Sequence, residues 1–404
     1  MTNTHGRRNA VFLLFAVNGI AAASWASRAP GIADGLGIGV GQMGALITGL
    51  PLGSIAAILL SSHVLHLLGS RRTARLDLLA MAVGIVVIAV GSGLSASYAH
   101  AFVGFVVFGF ANSMQGIVIN VEAAEIDRMS TRTLMPLFHA TFSVGTFLGA
   151  AAGAVATLVG VALIVHFAVT AALLIGAAIF AVAQVPSLPP EHEARPISTF
   201  RHRMAVWLEP RTLLIGVVVL GAAFTEGTAN NWLALAMVED RGLTEATGAA
   251  YLTVFTGAMM AGRFVGGIAV DRLDRVAALR GALMLAVAGL LLVVLVPSPV
   301  ATIAGVVLWG LGASPGYPLG ISAAADNPQN AVARVAAVAA VGAIAFLVGP
   351  SIIGLIGEHS SLLTAFLVVT GLIALSLLAS SAARPLAGRV PRDDLAEASG
   401  TERL

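Results

Sequence analysis

Long apolar runs, interrupted at short intervals by small polar clusters, fill this 404-residue chain. A helix that crosses a bilayer needs about 20 mostly apolar residues. The interruptions leave room for twelve such helices: approximately 9–33, 41–68, 77–96, 98–127, 133–159, 161–184, 211–238, 246–270, 276–296, 298–325, 331–357 and 360–383. The runs are continuous and do not alternate, which sets a membrane β-barrel aside. The predicted fold is therefore an all-α integral membrane protein. Its longest interruption, "VPSLPPEHEARPISTFRHRMAVWLEP" at 185–210, holds five prolines and mixed charge and divides the spans six and six. The expected organisation is an N-terminal six-helix bundle over 1–184, a cytoplasmic linker over 185–210 with Trp207 at the membrane interface, a C-terminal six-helix bundle over 211–383 and a cytoplasmic tail over 384–404.

Composition agrees with that pattern. Hydrophobic residues make up 58% of the chain and charged residues 10%, where a soluble chain carries about a quarter charged residues. The mean hydropathy is +0.93. Forty-five glycines suit closely packed membrane helices, in which small residues let backbones approach. The chain has no lysine, so all 22 basic side chains are arginine. With the N-terminus inside, 19 of them fall in inside-facing segments and only Arg241 in an outside loop, with Arg28 and Arg263 within spans. That asymmetry places both termini in the cytoplasm, in a bacterial-type inner membrane. The stretch "RRNAVFLLFAVNGIAAASWA" could pass for a signal peptide, but cleavage would remove a span and break the even count that keeps the arginines on one side. Without cysteine, a zincin-spaced histidine pair or a Walker loop, no metal, cofactor or ATP-driven chemistry is expected, and the short basic loops give no nucleic-acid surface.

The two halves resemble each other. "GLPLGSIAAILLSSHVLHLLGSRR" (49–72) aligns with "FTGAMMAGRFVGGIAVDRLDR" (255–275) at an offset of 205, and "FGFANSMQG" (108–116) with "WGLGASPGY" (309–317) at an offset of 201, which sets Glu125 against Asp326. Parallel six-span repeats are one architecture of secondary transporters, with the substrate site between the halves near mid-membrane. "GGIAVDRLDR" resembles the loop 8–9 signature G-x-x-x-D-R-x-G-R-[RK] of the major facilitator superfamily, with Gly267, Asp271, Arg272 and Arg275 in place and Asp274 where glycine is usual. The first-half copy, "SHVLHLLGSRR", keeps Gly69, Arg71 and Arg72 but has His66 in place of aspartate. The segments "ASWASRAP", "INVEAAE", "FTEGTANNW", "GRFVGG" and "LWGLGASPGYPL" are similar to a branch of YbjJ-like and MosC-like membrane proteins. This resemblance implies two pseudo-symmetric six-helix bundles, and a gating role for Gly267, Asp271, Arg272 and Arg275. It also associates the MosC-like members with rhizopine, an inositol-derived amine.

The superfamily places spans 1, 4, 7 and 10 around a central cavity, and the polar residues test that placement independently. Span 1 carries Asn18 and Arg28, span 4 Asn112, Gln115, Asn120 and Glu122, and span 7 Glu226, Asn230 and Asn231. Span 10 carries Trp309 and Tyr317 about a proline break, whereas the interiors of spans 3, 9 and 12 carry neither charge nor amide. Lipid cannot satisfy such groups, so they face a cavity or a partner. At about 100° per residue Glu226 shares a face with Asn230, and Asn18 with Trp25 and Arg28. The expected substrate-binding set is Asn18, Trp25, Arg28, Asn112, Gln115, Asn230, Trp232, Trp309 and Tyr317. The aromatic members could stack on a ring or a cation, or pack. Proton coupling is expected of Glu226 and of Glu122, the latter with His139 as its partner; the alternative for Glu226 is a structural hydrogen bond or a standing ion pair with Arg28, and for the Glu122–His139 pair it is packing. Arg263 is expected to be structural. "NSMQG" stands where many proton-coupled members have R-x-x-Q-G, so Asn112 replaces a usual arginine: either coupling uses another cation, such as Arg28, or the protein is not proton-coupled.

The expected function is that of a secondary transporter, proton-coupled, moving a small polar organic solute such as a sugar, cyclitol or amino-cyclitol by alternating access. Efflux of drugs or apolar metabolites by proton antiport is the alternative within transport, and a membrane receptor or scaffold the alternative outside it. The expected partners are the solute, protons and the bilayer, and the expected state is a monomer.

Overall fold

The computed structural model describes residues 4–130, 134–185, 206–326 and 331–386, and among these every regular element is helical. Span 1 is Thr4–Ala26, continued after a break at Ser27 and Arg28 by Ala29–Leu36, where Pro30 suits the first turn of a new helix. Span 2 begins with Val40–Ile47 and continues into the long element Gly49–Gly93, which turns at Gly69 (φ 71°, ψ 162°) and so becomes span 3. Spans 4 to 6 are Tyr98–Met129, Met135–Leu158 and Leu163–Phe180. In the second half, spans 7 to 9 are Pro210–Glu239, Glu245–Leu273 and Arg275–Leu295. Span 10 is Pro299–Ala313 and Gly316–Ala324, broken at Ser314 and Pro315 as the proline predicts. Spans 11 and 12 are Ala331–His359 and Leu362–Ala379. Most of the predicted linker, 186–205, lies outside the described residues; Trp207 is half-buried beside span 7.

Eleven helices among the described residues are long and apolar enough to cross a membrane. The remaining span is the 29-residue helix Glu245–Leu273, which carries Arg263 in its interior. Serine and threonine cap several of the starts: Ser97 accepts from the His100 amide, Thr244 from Thr247 and Ser361 from Thr364.

Arginines gather at the end of the bundle that holds the start of span 1 and the residues after span 12 up to Arg384. Arg7 of span 1 pairs with Glu122 at the end of span 4 (2.7 Å), and Arg211 of span 7 pairs with Asp326 after span 10 (2.9 Å). At the opposite end the two halves meet closely. A Cβ placed on Gly354 of span 11 would lie 2.9 Å from the Cα of Gly44 in span 2 and 2.9 Å from the Trp232 ring. Only glycine permits this approach, so the opposite end is sealed by backbone against backbone with a buried indole beneath.

Candidate functional site

The polar centre of the molecule is built around Arg263, about two-thirds of the way along span 8. Its Nη2 donates to both carboxylate oxygens of Glu226 on span 7, at 3.2 Å each, and its Nη1 donates to Ser143 Oγ on span 5. Glu226 and Ser143 belong to different halves, so one guanidinium ties the halves together. The Glu226 and Arg263 side chains are 16% and 19% exposed, enough for water to reach a pair that otherwise sits among apolar helices. His139 lies one turn from Ser143, within the field of Arg263 and edge-on to Phe15 at 5.4 Å. Tyr317 packs against Gly342 within the field of Glu226. Asn230 is half-buried one turn beyond Glu226 on the same face.

The first half offers amides without ions. Asn18 and Gln115 are buried, and Asn18 Oδ1, Asn112 Oδ1 and both polar ends of Gln115 have no protein partner. Buried polar groups normally find partners, so these atoms are suited to a polar ligand or ion.

Several expectations give way here. Arg28 is not the partner of Glu226. It lies at the sealed end, donating to the Val161 carbonyl at 3.1 Å and facing Glu245. Glu226 stands thirteen residues before the end of span 7 at Glu239, about 20 Å along the helix axis, and Arg263 is the guanidinium that reaches that depth. Glu122 pairs with Arg7, because the register of span 1 on span 4 sets these two opposite each other, while His139 turns to Phe15. Trp309 is fully buried between Phe255 and Phe366 (ring centroids 5.2 and 5.5 Å), Trp25 sits edge-on to Phe105 at 5.3 Å, and Trp232 forms part of the seal. All three tryptophans pack inside the protein. Asn120 donates to the Gly116 carbonyl of its own helix. Arg275 is buried and reaches Asp326 at 2.8 and 3.1 Å, Arg272 is exposed, Gly267 lies within span 8, and the side chain of Asp271 lies outside the described residues.

Sequence reasoning missed Ser143 and the bridging role of Arg263. It also missed Asp77, buried in span 3 at the edge of the predicted segment. A signal for the terminal ion pairs was present, since Arg7 and Glu122 are 115 residues apart and so are Arg211 and Asp326.

The sequence profile of the Major Facilitator Superfamily matches residues 11–342, and an overlapping match covers 215–402. The chain belongs to this family. It is 30% identical to the uncharacterized transporter y4wD of Sinorhizobium fredii over 358 residues, 88% of this chain and 92% of that protein. It is 27% identical to the membrane protein MosC of Rhizobium meliloti over 370 residues, 90% of this chain and 87% of MosC. A solved variant of the nucleoside transporter NupG shares the fold, with a TM-score of 0.76 at 12% identity over 94% of this chain and 99% of that one. The chain is accordingly a multi-pass membrane transporter of the major facilitator fold and not an enzyme.

Proposed function

We propose that this transporter is proton-coupled and moves a small polar organic solute of the sugar, cyclitol or amino-cyclitol class by alternating access. The observation that carries the proposal is the Glu226–Arg263–Ser143 bridge, in which one carboxylate holds the cation that joins the two halves. Ionised Glu226 stabilises the bridge. A proton on Glu226 removes the charge that holds Arg263, which lowers the cost of separating spans 5 and 8 as the halves rock. The amide of Asn230, half-buried one turn from Glu226, supplies donors and acceptors for hydroxyl groups, and the name of the fold-mate, nucleoside transporter NupG, favours a polar, ring-bearing solute. With the arginine-rich end cytoplasmic, the Gly44–Gly354 contact closes the outer side in this state.

The test begins with a thermal-shift screen of the purified protein against polyols, amines and lipophilic cations. The best hit is then loaded into proteoliposomes. Wild type should accumulate it on a pH gradient, and Glu226→Gln should lose accumulation while keeping exchange, since an amide matches the shape but releases no proton. Full accumulation by Glu226→Gln would overturn proton coupling through this residue. A screen answered only by lipophilic cations would turn the reading to drug antiport.

A further inference from the structure

We propose that a small monovalent cation, sodium by the chemistry of its donors, binds inside the N-terminal bundle among Asp77, Gln115, Asn112 and Asn18. Placement comes first. Spans 3 and 4 run backbone against backbone: a Cβ on Gly84 would meet the Phe108 amide nitrogen at 2.8 Å, and a Cβ on Gly104 would meet that of Ile88 at 2.7 Å. Antiparallel helices keep their register, and a residue seven positions away on either helix returns to within about 20° of the same face. Seven residues before Gly84 is Asp77, and seven after Phe108 is Gln115, so these two come level on the facing stripes. The same step applies between spans 1 and 4, where Trp25 packs on Phe105. Seven residues before Trp25 is Asn18, and seven after Phe105 is Asn112. Spans 1 and 3 both pack on span 4, so these steps set a carboxyl and three amides on three helices within about one turn of the same level along it.

The donor set decides what the zone binds. Asp77 is 5% exposed, Gln115 0% and Asn18 4%. Asp77 Oδ2, Gln115 Oε1, Asn18 Oδ1 and Asn112 Oδ1 all lack a donor from the protein, as Gln115 Nε2 lacks an acceptor. No arginine forms an ion pair with Asp77 among the described residues. Arg7 is engaged by Glu122 two turns toward the arginine-rich end, Arg75 gives its Nε to the Ala178 carbonyl, and the facing span 6 carries only His166 near its far end. A buried carboxylate requires a compensating positive charge. A proton on Asp77 would supply one O–H for one of these acceptors, whereas a metal cation draws on several oxygens at once. A single carboxylate balances a single charge, so a divalent ion would leave net charge within the bilayer. The tight approach of spans 3 and 4 selects a small ion. This site is separate from Glu226 and does not depend on the proton-coupling proposal.

The test uses the purified full-length protein melted in sodium chloride, potassium chloride and choline chloride at equal ionic strength. Sodium alone should raise the melting temperature, saturably, as expected for a ligand of the native state. The rise should vanish in Asp77→Asn, weaken in Gln115→Leu and persist in Glu226→Gln. Radioactive sodium should be retained by wild type at one ion per chain. Should Asp77→Asn fail to fold, Gln115→Leu and Asn18→Ala carry the same comparison. Absence of a sodium-specific rise in wild type, or its survival in Asp77→Asn, would overturn the proposal. Stabilisation by acid in place of sodium would overturn it in favour of a proton.

Discussion

The two halves keep the same ends and differ in the middle. Each closes its arginine-rich end with an ion pair between its first and fourth spans, Arg7–Glu122 in one and Arg211–Asp326 in the other. Each also turns from its second to its third span through one residue of the same unusual backbone, Gly69 at φ 71°, ψ 162° and Asp274 at φ 77°, ψ 161°. Between these fixed points the chemistry separates. The second half places a carboxylate and a guanidinium at mid-depth, and the first half places amides and one buried acid. The repeated features are those that hold helices together, and the divergent ones lie where we propose that a solute and an ion bind. The difference also extends to the repeated ion pair, because Asp326 receives a second arginine, Arg275, at 2.8 Å.

That second arginine gives the largest expected effect. Removing one partner of a buried ion pair strands the other, at a cost of about 3–5 kcal/mol. Asp326→Asn strands Arg275, whose side chain is 9% exposed, together with the more open Arg211, whereas Glu122→Gln strands Arg7 alone. Asp326→Asn should therefore lower the melting temperature of the purified protein more than Glu122→Gln. Equal losses would mean that Arg275 adds nothing to the repeat, and a larger loss at Glu122 would reverse the comparison.

The matched turns are the next place to break the symmetry. At φ near +70° with extended ψ the backbone is suited to glycine, and any other residue costs about 1–3 kcal/mol. Gly69→Ala should carry that cost in full. Asp274 bears the same strain but returns part of it, because its Oδ1 accepts from the Val276 and Ala277 amides at 2.7 and 2.9 Å and caps span 9. Such a cap is worth about 0.5–2 kcal/mol. Asp274→Ala should therefore destabilise, while Asp274→Gly exchanges relief of strain for loss of the cap and should fall within about 1 kcal/mol of wild type. Thermal melts of the three variants read the order directly. A marked loss in Asp274→Gly would show that the carboxylate does more than cap.

Much of this was legible in the sequence, because the relevant signal is local. Twenty-residue apolar runs need no knowledge of neighbours, and Pro315 breaks span 10 wherever that span packs. The grouping of polar residues on spans 1, 4 and 7 was likewise visible from where they fall along the chain. Partners were not legible, because they depend on helix rotation and on register to a single residue. Repeat matching at an offset of 201 paired Glu125 with Asp326, whereas the ion pairs make Glu122 its counterpart. Arg28 was the plausible cation for Glu226 on charge alone, and only depth along the helices shows that Arg263 takes that place. The tryptophans look like ring-stacking surfaces in a sequence; whether an indole meets a solute or Phe255 and Phe366 is decided by packing. Asp77 was lost at a predicted boundary, where a charged residue reads as the start of a span.

The smallest expected effect concerns the sealed end, where the halves touch with opposite charges facing. Glu245 of the second half lies close to Gly31 and faces Arg28 and Asp34 of the first. Burial pushes its carboxyl above the ordinary value; the attraction of Arg28 opposes that shift and the like charge of Asp34 adds to it. The group therefore binds its proton more tightly in the sealed arrangement than it would in water. By linkage, protonation favours the seal, and raising the pH through the range above the ordinary carboxylate value of about 4.3 weakens it. The chain has no native cysteine, so the pair Gly41→Cys and Glu358→Cys, at positions in contact across the seal, can report its population by crosslinking. Crosslinking should fall gradually as pH rises, and adding Glu245→Gln should flatten the profile near its acid level, since the amide is permanently uncharged. The same pH dependence in Glu245→Gln would assign the titration to another group and leave Glu245 a simple electrostatic partner of Arg28.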